Sequence, residues 1–170
     1  MKKIGIFYSF KSKKTHQQVK YIIKNLGEKL CEEVDIEDAT LDDFNKFNNY
    51  IFAAPTWFDG ELPNYLDEFL PMIEDQSMKD KKVAIFGGGD QKNYPENFVD
   101  GIGILAEFFE ERGAKVVGFT SVKGYKFEYS RAQRGDKFTG LALDIENQAA
   151  LTHERIEKWI DKIKKEFEKN

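Results

Sequence analysis

The sequence is poor in the residues that build covalent or metal-centred chemistry. Cys31 is the one cysteine among 170 residues, which excludes an internal disulfide and any cysteine-rich metal or iron–sulfur site. Two histidines, His16 and His153, leave little for a zinc enzyme. No apolar run approaches the roughly 20 residues that span a bilayer. The start, Met1-Lys2-Lys3 and then Ile4-Gly5-Ile6-Phe7-Tyr8, has too short an apolar stretch for a signal peptide. The expectation is a cytoplasmic protein with no membrane partner. Charge of one sign is not in large excess either. The 26 basic and 30 acidic side chains leave a net −4, which argues against a general nucleic-acid binder. What the chain does have is apolar and aromatic. Hydrophobic residues make up 41%, with 15 Phe, 7 Tyr and 2 Trp, far more aromatic surface than a disordered chain carries. The length suits a single domain over residues 1–170.

Two hydrophobic patterns alternate. Lys2–Tyr8, Tyr50–Ala54, Lys82–Gly87 and Lys115–Phe119 are short apolar runs of the kind buried on both faces of a parallel sheet. Val34–Ile36 is a weaker run of the same type. Between them, Val19, Ile22, Ile23, Leu26 and Leu30 recur at helical spacing, as do Phe98, Ile102, Leu105 and Phe109. The C-terminal repeat is Ile156, Trp159, Ile160, Ile163 and Phe167, behind Thr152 as its expected N-cap. Cys31 falls late in a helical pattern and reads as a small buried hydrophobe. Strand followed by helix about five times predicts a doubly wound α/β sandwich with a five-stranded parallel sheet. Ser121–Asp144 fits no strand–helix unit. It predicts a long insertion that splits the last strand, with Phe138–Leu143 as its resumption.

Ligands of such sheets bind beyond the carboxyl ends of the strands, so three loops matter. The first, Ser9-Phe10-Lys11-Ser12-Lys13-Lys14-Thr15, leaves a strand and opens a helix, whose N-terminal amides suit a phosphate. A solvated, capped helix start would explain it equally. His16, just beyond, reads as a surface residue. The second loop is Pro55-Thr56-Trp57-Phe58-Asp59-Gly60-Glu61-Leu62-Pro63. Its Trp57 faces either a ligand crevice or the sheet edge. The third, Gly87-Gly88-Gly89-Asp90-Gln91-Lys92-Asn93-Tyr94, has three glycines that would let a flat ligand approach the backbone, or would simply make a hinge. Taken together, a phosphate cradle and two aromatic residues from separate loops describe a clamp for a phosphorylated planar ring. Stacking in such a clamp is worth about 1–3 kcal/mol per face.

These loops resemble those of the long-chain flavodoxins. The resemblance rests on Ala54-Pro55-Thr56-Trp57 with Gly60-Glu61, and on Phe86-Gly87-Gly88-Gly89-Asp90-Gln91 with Tyr94 and Asn97-Phe98. Gly124-Tyr125-Lys126-Phe127-Glu128-Tyr129-Ser130 and Phe138-Thr139-Gly140-Leu141-Ala142-Leu143-Asp144 add the insertion. The resemblance implies a flavodoxin-like three-layer sandwich and non-covalent FMN between Trp57 and Tyr94. It also implies ring-edge hydrogen bonds from the backbone of the second and third loops, and places Asp90, Asn97 and Phe98 among the cofactor-binding residues. Reduction would reorient the peptide whose carbonyl belongs to Phe58. The function implied is a monomeric, low-potential carrier of single electrons between a reductase and acceptor redox proteins. Asp59, Glu61 and Asp90 would disfavour the fully reduced anionic flavin.

The first loop departs from the family pattern. Ser12 and Thr15 keep two hydroxyl positions, while Phe10 replaces a third and Lys13 replaces a glycine. Phosphate is therefore expected to be held by a different distribution of donors, with Lys11, Lys13 and Lys14 contributing charge. Two alternatives stay open: a flavin-dependent reductase of a small molecule such as a quinone, and a binding module of this fold with a modified phosphate site.

Overall fold

The computed structural model describes residues 1–169. The central sheet is parallel, in the order β2-β1-β3-β4-β5, from Ile4–Tyr8 (β1), Cys31–Asp35 (β2), Asn49–Ala53 (β3), Lys82–Gly88 (β4) and Lys115–Val117 (β5). Every residue of β1 and β3 is buried, as their unbroken apolar runs require. Register is continuous across the sheet: Phe7 pairs with Val34 on one side and with Phe52 on the other. The chain leaves β1 outward to β2, then returns past β1 to β3. The loops after β1 and β3 consequently diverge and open a crevice between them.

Two cores fill the faces. On one face α1 (Lys13–Leu26) and a C-terminal helix (Thr152–Glu168) bury Val19, Ile22, Leu26, Ile156, Trp159 and Ile160 against Ile4, Ile6 and Tyr8. On the other, α3 (Asn64–Ile73) and α4 (Asp100–Glu111) cover an aromatic core in which Phe7 stacks on Phe52 at 4.9 Å. Between β2 and β3 lies the short α2 (Leu41–Asn45), closed by a capping box between Thr40 and Asp43.

The insertion splits the edge strand as expected, with shifted boundaries. β5 stops at Val117 because Gly118, at φ 79°, turns out of the sheet while its carbonyl accepts the Trp159 indole N–H at 2.9 Å. Thr120–Ser121 (β6), Gln133–Arg134 (β7) and Lys137–Phe138 (β8) then form a small antiparallel sheet. Leu141–Leu143 (β9) resumes the edge and pairs with β4 from Phe86 to Gly88. Phe138 therefore belongs to the small sheet and not to the resumed strand.

Other expectations shift similarly. The weak second strand is Cys31–Asp35, and Cys31 opens it half-buried instead of ending a helix; burial pushes its thiol up to about 11. The helix expected from Phe98 begins at Asp100, since Val99 at φ 48° cannot continue a right-handed turn. Thr152 is the first residue of its helix and makes no side-chain cap; the four-residue α5 (Ile145–Gln148) and a 3₁₀ turn precede it.

Candidate functional site

The three loops meet in a cleft of about 650 Å³, within the roughly 300–1,000 Å³ of small-molecule sites. At one end lies the N-terminus of α1. Lys13, Lys14 and Thr15 are its first three residues, whose N–H groups have no acceptor within the helix. Ser12 is the N-cap but makes no capping bond; its hydroxyl donates instead to the Thr15 hydroxyl at 2.9 Å. The amides and the positive helix end thus face the cleft without a side chain across them.

The cleft is lined from this loop by Ser9, Lys11, Ser12, Lys14 and Thr15. Phe10 and Lys13 do not line it. Phe10 packs on the Tyr8 ring at 4.9 Å and is otherwise exposed. Lys13 is exposed and has no ion-pair partner among the described residues. His16, read as a surface residue, is half-buried, with Nδ1 3.0 Å from the Tyr8 hydroxyl, which donates to Glu33 at 2.6 Å.

From the second loop Pro55, Thr56 and Trp57 line the cleft. Trp57 keeps 39% of its surface exposed, so it does face the crevice. Its ring meets Tyr65 edge-on at 6.2 Å. Burial, then the Glu37 charge, raises the Tyr65 phenol to about 12. The Thr56 hydroxyl accepts the Gly101 amide at 2.9 Å, fastening the loop to α4. Phe58, Asp59 and Gly60 form the tip of a tight hairpin closed by Trp57–Glu61 bonds of 2.7 and 2.8 Å. They do not line the cleft. Gly60 (φ 89°) sits against Asp100, whose Oδ2 would lie 2.5 Å from any Cβ there. Phe58 adopts φ 47° while 70% exposed.

The third loop contributes Gly88, Gly89, Asp90 and Tyr94. Only one of the three glycines has open space around it. A side chain at Gly87 would strike the Ala54 carbonyl, and one at Gly89 would meet Val99 at 2.9 Å; Gly88 has nothing nearer than 3.8 Å. The first and third glycines thus serve packing, and close approach of a ligand is possible at Gly88. Asp90 closes the turn by accepting the Lys92 and Asn93 amides at 3.1 and 3.0 Å and the Asn147 side chain at 2.8 Å. Burial pushes its carboxyl up, but these bonds outweigh it and hold it below the ordinary value. Asn97 stands outside the cleft and donates to Asp100 at 3.3 Å. Phe98 is in the core, against Phe127 and Phe138. The motif that drew attention to Phe98 is a packing motif.

Reading the three loops missed Gln18, Glu37, Tyr65, Leu143, Ile145 and Glu146, which also line the cleft. Glu37 stands just past β2, so a firmer strand assignment there would have exposed it. The pattern of the Flavodoxin family matches residues 6–159. The chain is 41% identical to the flavodoxin of Nostoc sp. over 166 residues, covering 98% of each.

The chain belongs to the flavodoxin family.

It is also 37% identical to flavodoxin 1 of Escherichia coli strain K12, over 96% of this chain and 93% of that one. The solved structure of Fusobacterium nucleatum flavodoxin, bound to flavin mononucleotide, superposes with a TM-score of 0.92 at 37% identity, covering 98% and 99%. Flavodoxins are electron-transfer proteins, not enzymes, and the function of this chain is of that class. Nothing in these likenesses favours the reductase alternative. Among the described residues no helix of this flavodoxin is long and apolar enough to cross a membrane.

Proposed function

We propose that the cleft holds FMN, with its phosphate at the N-terminus of α1 and its ring between Trp57 and Tyr94, and that the chain carries single electrons between redox proteins. The observation that carries this reading is that an uncapped helix start and two exposed aromatic side chains, from three separate loops, line one cleft. The residues fit the group. The amides of Lys13–Thr15 and the hydroxyls of Ser12 and Thr15 would receive the phosphate. The backbone around Gly88 would meet the ring edge, and Phe58–Gly60 would stand beside it. Bound there, the flavin supplies one-electron chemistry at potentials that the protein tunes. Trp57 and Tyr94 exclude water from its faces. The carboxylates of Asp59, Glu61 and Asp90 make negative charge on the ring unfavourable, which lowers its potential. The partners in this reading are a reductase and an acceptor that dock transiently on a cytoplasmic monomer.

The test is titration of the purified chain with FMN, riboflavin and FAD, followed by flavin fluorescence. Quenching at one FMN per chain is expected from stacking on Trp57 and Tyr94. FAD should bind far more weakly, because an adenylate would have to extend from the phosphate against α1, where the described residues form no second pyrophosphate site. Equal affinity for FMN and FAD, or absence of quenching, would overturn the assignment.

A further inference from the structure

Two of the three lysines of the α1 loop already have carboxylate partners. Lys11 Nζ lies 3.6 Å from one oxygen of Glu37, and the Ser9 hydroxyl donates to the other. Lys14 Nζ lies 2.8 Å from Glu146. Glu37 follows β2 and Glu146 lies in α5, so two segments distant in sequence each bring an acid to this loop. Both line the cleft. The positive charges of Lys11 and Lys14 are thus balanced from within the chain.

A solvated ion pair on a helix flank would mean little, and Lys14–Glu146 is of that kind, with both side chains more than half exposed. Glu37 differs. Its side chain is 27% exposed, and it engages Ser9, a residue only 3% exposed. A phosphate ester entering the cradle would meet this carboxylate on the wall. It would also draw on the Ser9 hydroxyl and the Lys11 ammonium, which Glu37 already engages.

We propose that Glu37 is an internal competitor for the phosphate of the flavin, so that its charge sets how strongly FMN is preferred over riboflavin. The proposal rests on the cleft being the FMN site. With Lys11 and Lys14 balanced in this way, the isoalloxazine, and not the phosphate alone, must supply the affinity.

The experiment is titration of wild type and Glu37→Gln with FMN and with riboflavin at low and high salt. Glutamine keeps the size and an acceptor for Ser9 while removing the charge. FMN should bind about fivefold tighter to the variant at low salt. The gain should shrink at high salt, and riboflavin affinity should not change. Glu146→Gln, at an exposed position of α5, should give a smaller gain of the same sign. If FMN affinity in Glu37→Gln is unchanged or weaker while wild type binds FMN, the proposal is overturned and the cofactor reading stands. An equal gain for riboflavin would overturn it too, since Glu37 would then act on the ring. A wild type that binds neither flavin would remove the cofactor reading and the proposal with it.

Discussion

At the α1 end of the cleft the positive charges are exposed lysines whose partners can exchange with water, and the fixed elements are backbone amides and the buried Ser9 and Thr15. At the Tyr94 end the order is reversed. Asp144, 1% exposed, accepts the Gln91 amide at 3.1 Å, the Gln91 side chain at 2.7 Å and the Asn147 amide at 3.0 Å. Gln91 in turn accepts the Lys126 amide at 2.6 Å, tying the third loop to the insertion. Asn147 bridges Asp90 and Asp144. Exposed charge pairs contribute little to stability, while a buried carboxylate that satisfies several donors contributes much. The difference teaches that the ring end is held by the fold and that the phosphate end is adjustable.

The largest effect should come from breaking the ring end. Asp144→Ala would leave the Gln91 amides and the start of α5 without their acceptor. About 3 kcal/mol of unfolding free energy should be lost, as expected for several bonds to one charged group. Urea denaturation measures it. A loss under 1 kcal/mol would mean that the loop is held by β4 and β9 alone, and the contrast between the two ends would fail.

Next is Gly60→Ala. The positive φ costs a side chain about 1–2 kcal/mol, and the new Cβ would press on Asp100. The hairpin carrying Trp57 should shift, and affinity for FMN and riboflavin should fall together, by roughly tenfold or more. A loss confined to FMN would place the hairpin at the phosphate end and contradict the arrangement proposed for the cleft.

How much of this was legible beforehand follows the same division. The strands β1, β3 and β4 were legible because burial on both faces leaves continuous apolar runs. Trp57, beside its Gly turn, was open between crevice and sheet edge from the residue alone, and Tyr94 was singled out by the three glycines before it; the resemblance to the flavodoxin loops joined them. Glu37 was not, since β2, as Cys-Glu-Glu-Val-Asp, is a half-buried edge strand that carries acids where a strand buried on both faces carries apolar residues. Phe98 misled for the opposite reason. Local motif context cannot tell a ring that faces a ligand from one that faces Phe138 across an insertion. The roles of Gly87 and Gly89 likewise depend on which backbone lies opposite, a tertiary fact.

At the adjustable end, replacing Lys11, Lys13 and Lys14 together by Gln should weaken FMN binding by no more than about fivefold at low salt, with riboflavin unaffected. Exposed pairs are worth up to about 1 kcal/mol, and Lys11 and Lys14 already balance Glu37 and Glu146. The loss should fade as salt rises, because the screening length falls to about 8 Å at physiological ionic strength. A loss of a hundredfold would mean that the lysines, and not the helix amides, hold the phosphate. Equal losses for both flavins would mean that the lysines act on the ring or on the shape of the cleft, and not on the phosphate.

An effect of at most the same size belongs to Phe58→Gly, and it probes the strained tip of the hairpin at the ring end. Phe58 holds φ 47° at the tip of the Trp57–Glu61 hairpin with little packing to compensate, since 70% of it is exposed. A bulky residue in this region is disfavoured by about 1 kcal/mol relative to Gly. Glycine removes that strain but adds chain entropy of about 0.5–1 kcal/mol to the unfolded state, so unfolding free energy should hardly move. The balance between turn conformers should move, because the strain belongs to one backbone conformer and the entropy to none in particular. About 1 kcal/mol is a factor of about five in that balance, or about 40 mV for a one-electron couple. Spectroelectrochemical titration of the FMN-loaded variant should therefore show the separation of its two one-electron potentials displaced by an amount of that order. The sign of the displacement identifies the redox level that the positive-φ turn serves. Potentials identical to wild type would show that the hairpin holds one conformation throughout, leaving Trp57, Tyr94 and the nearby carboxylates as the elements that tune the flavin.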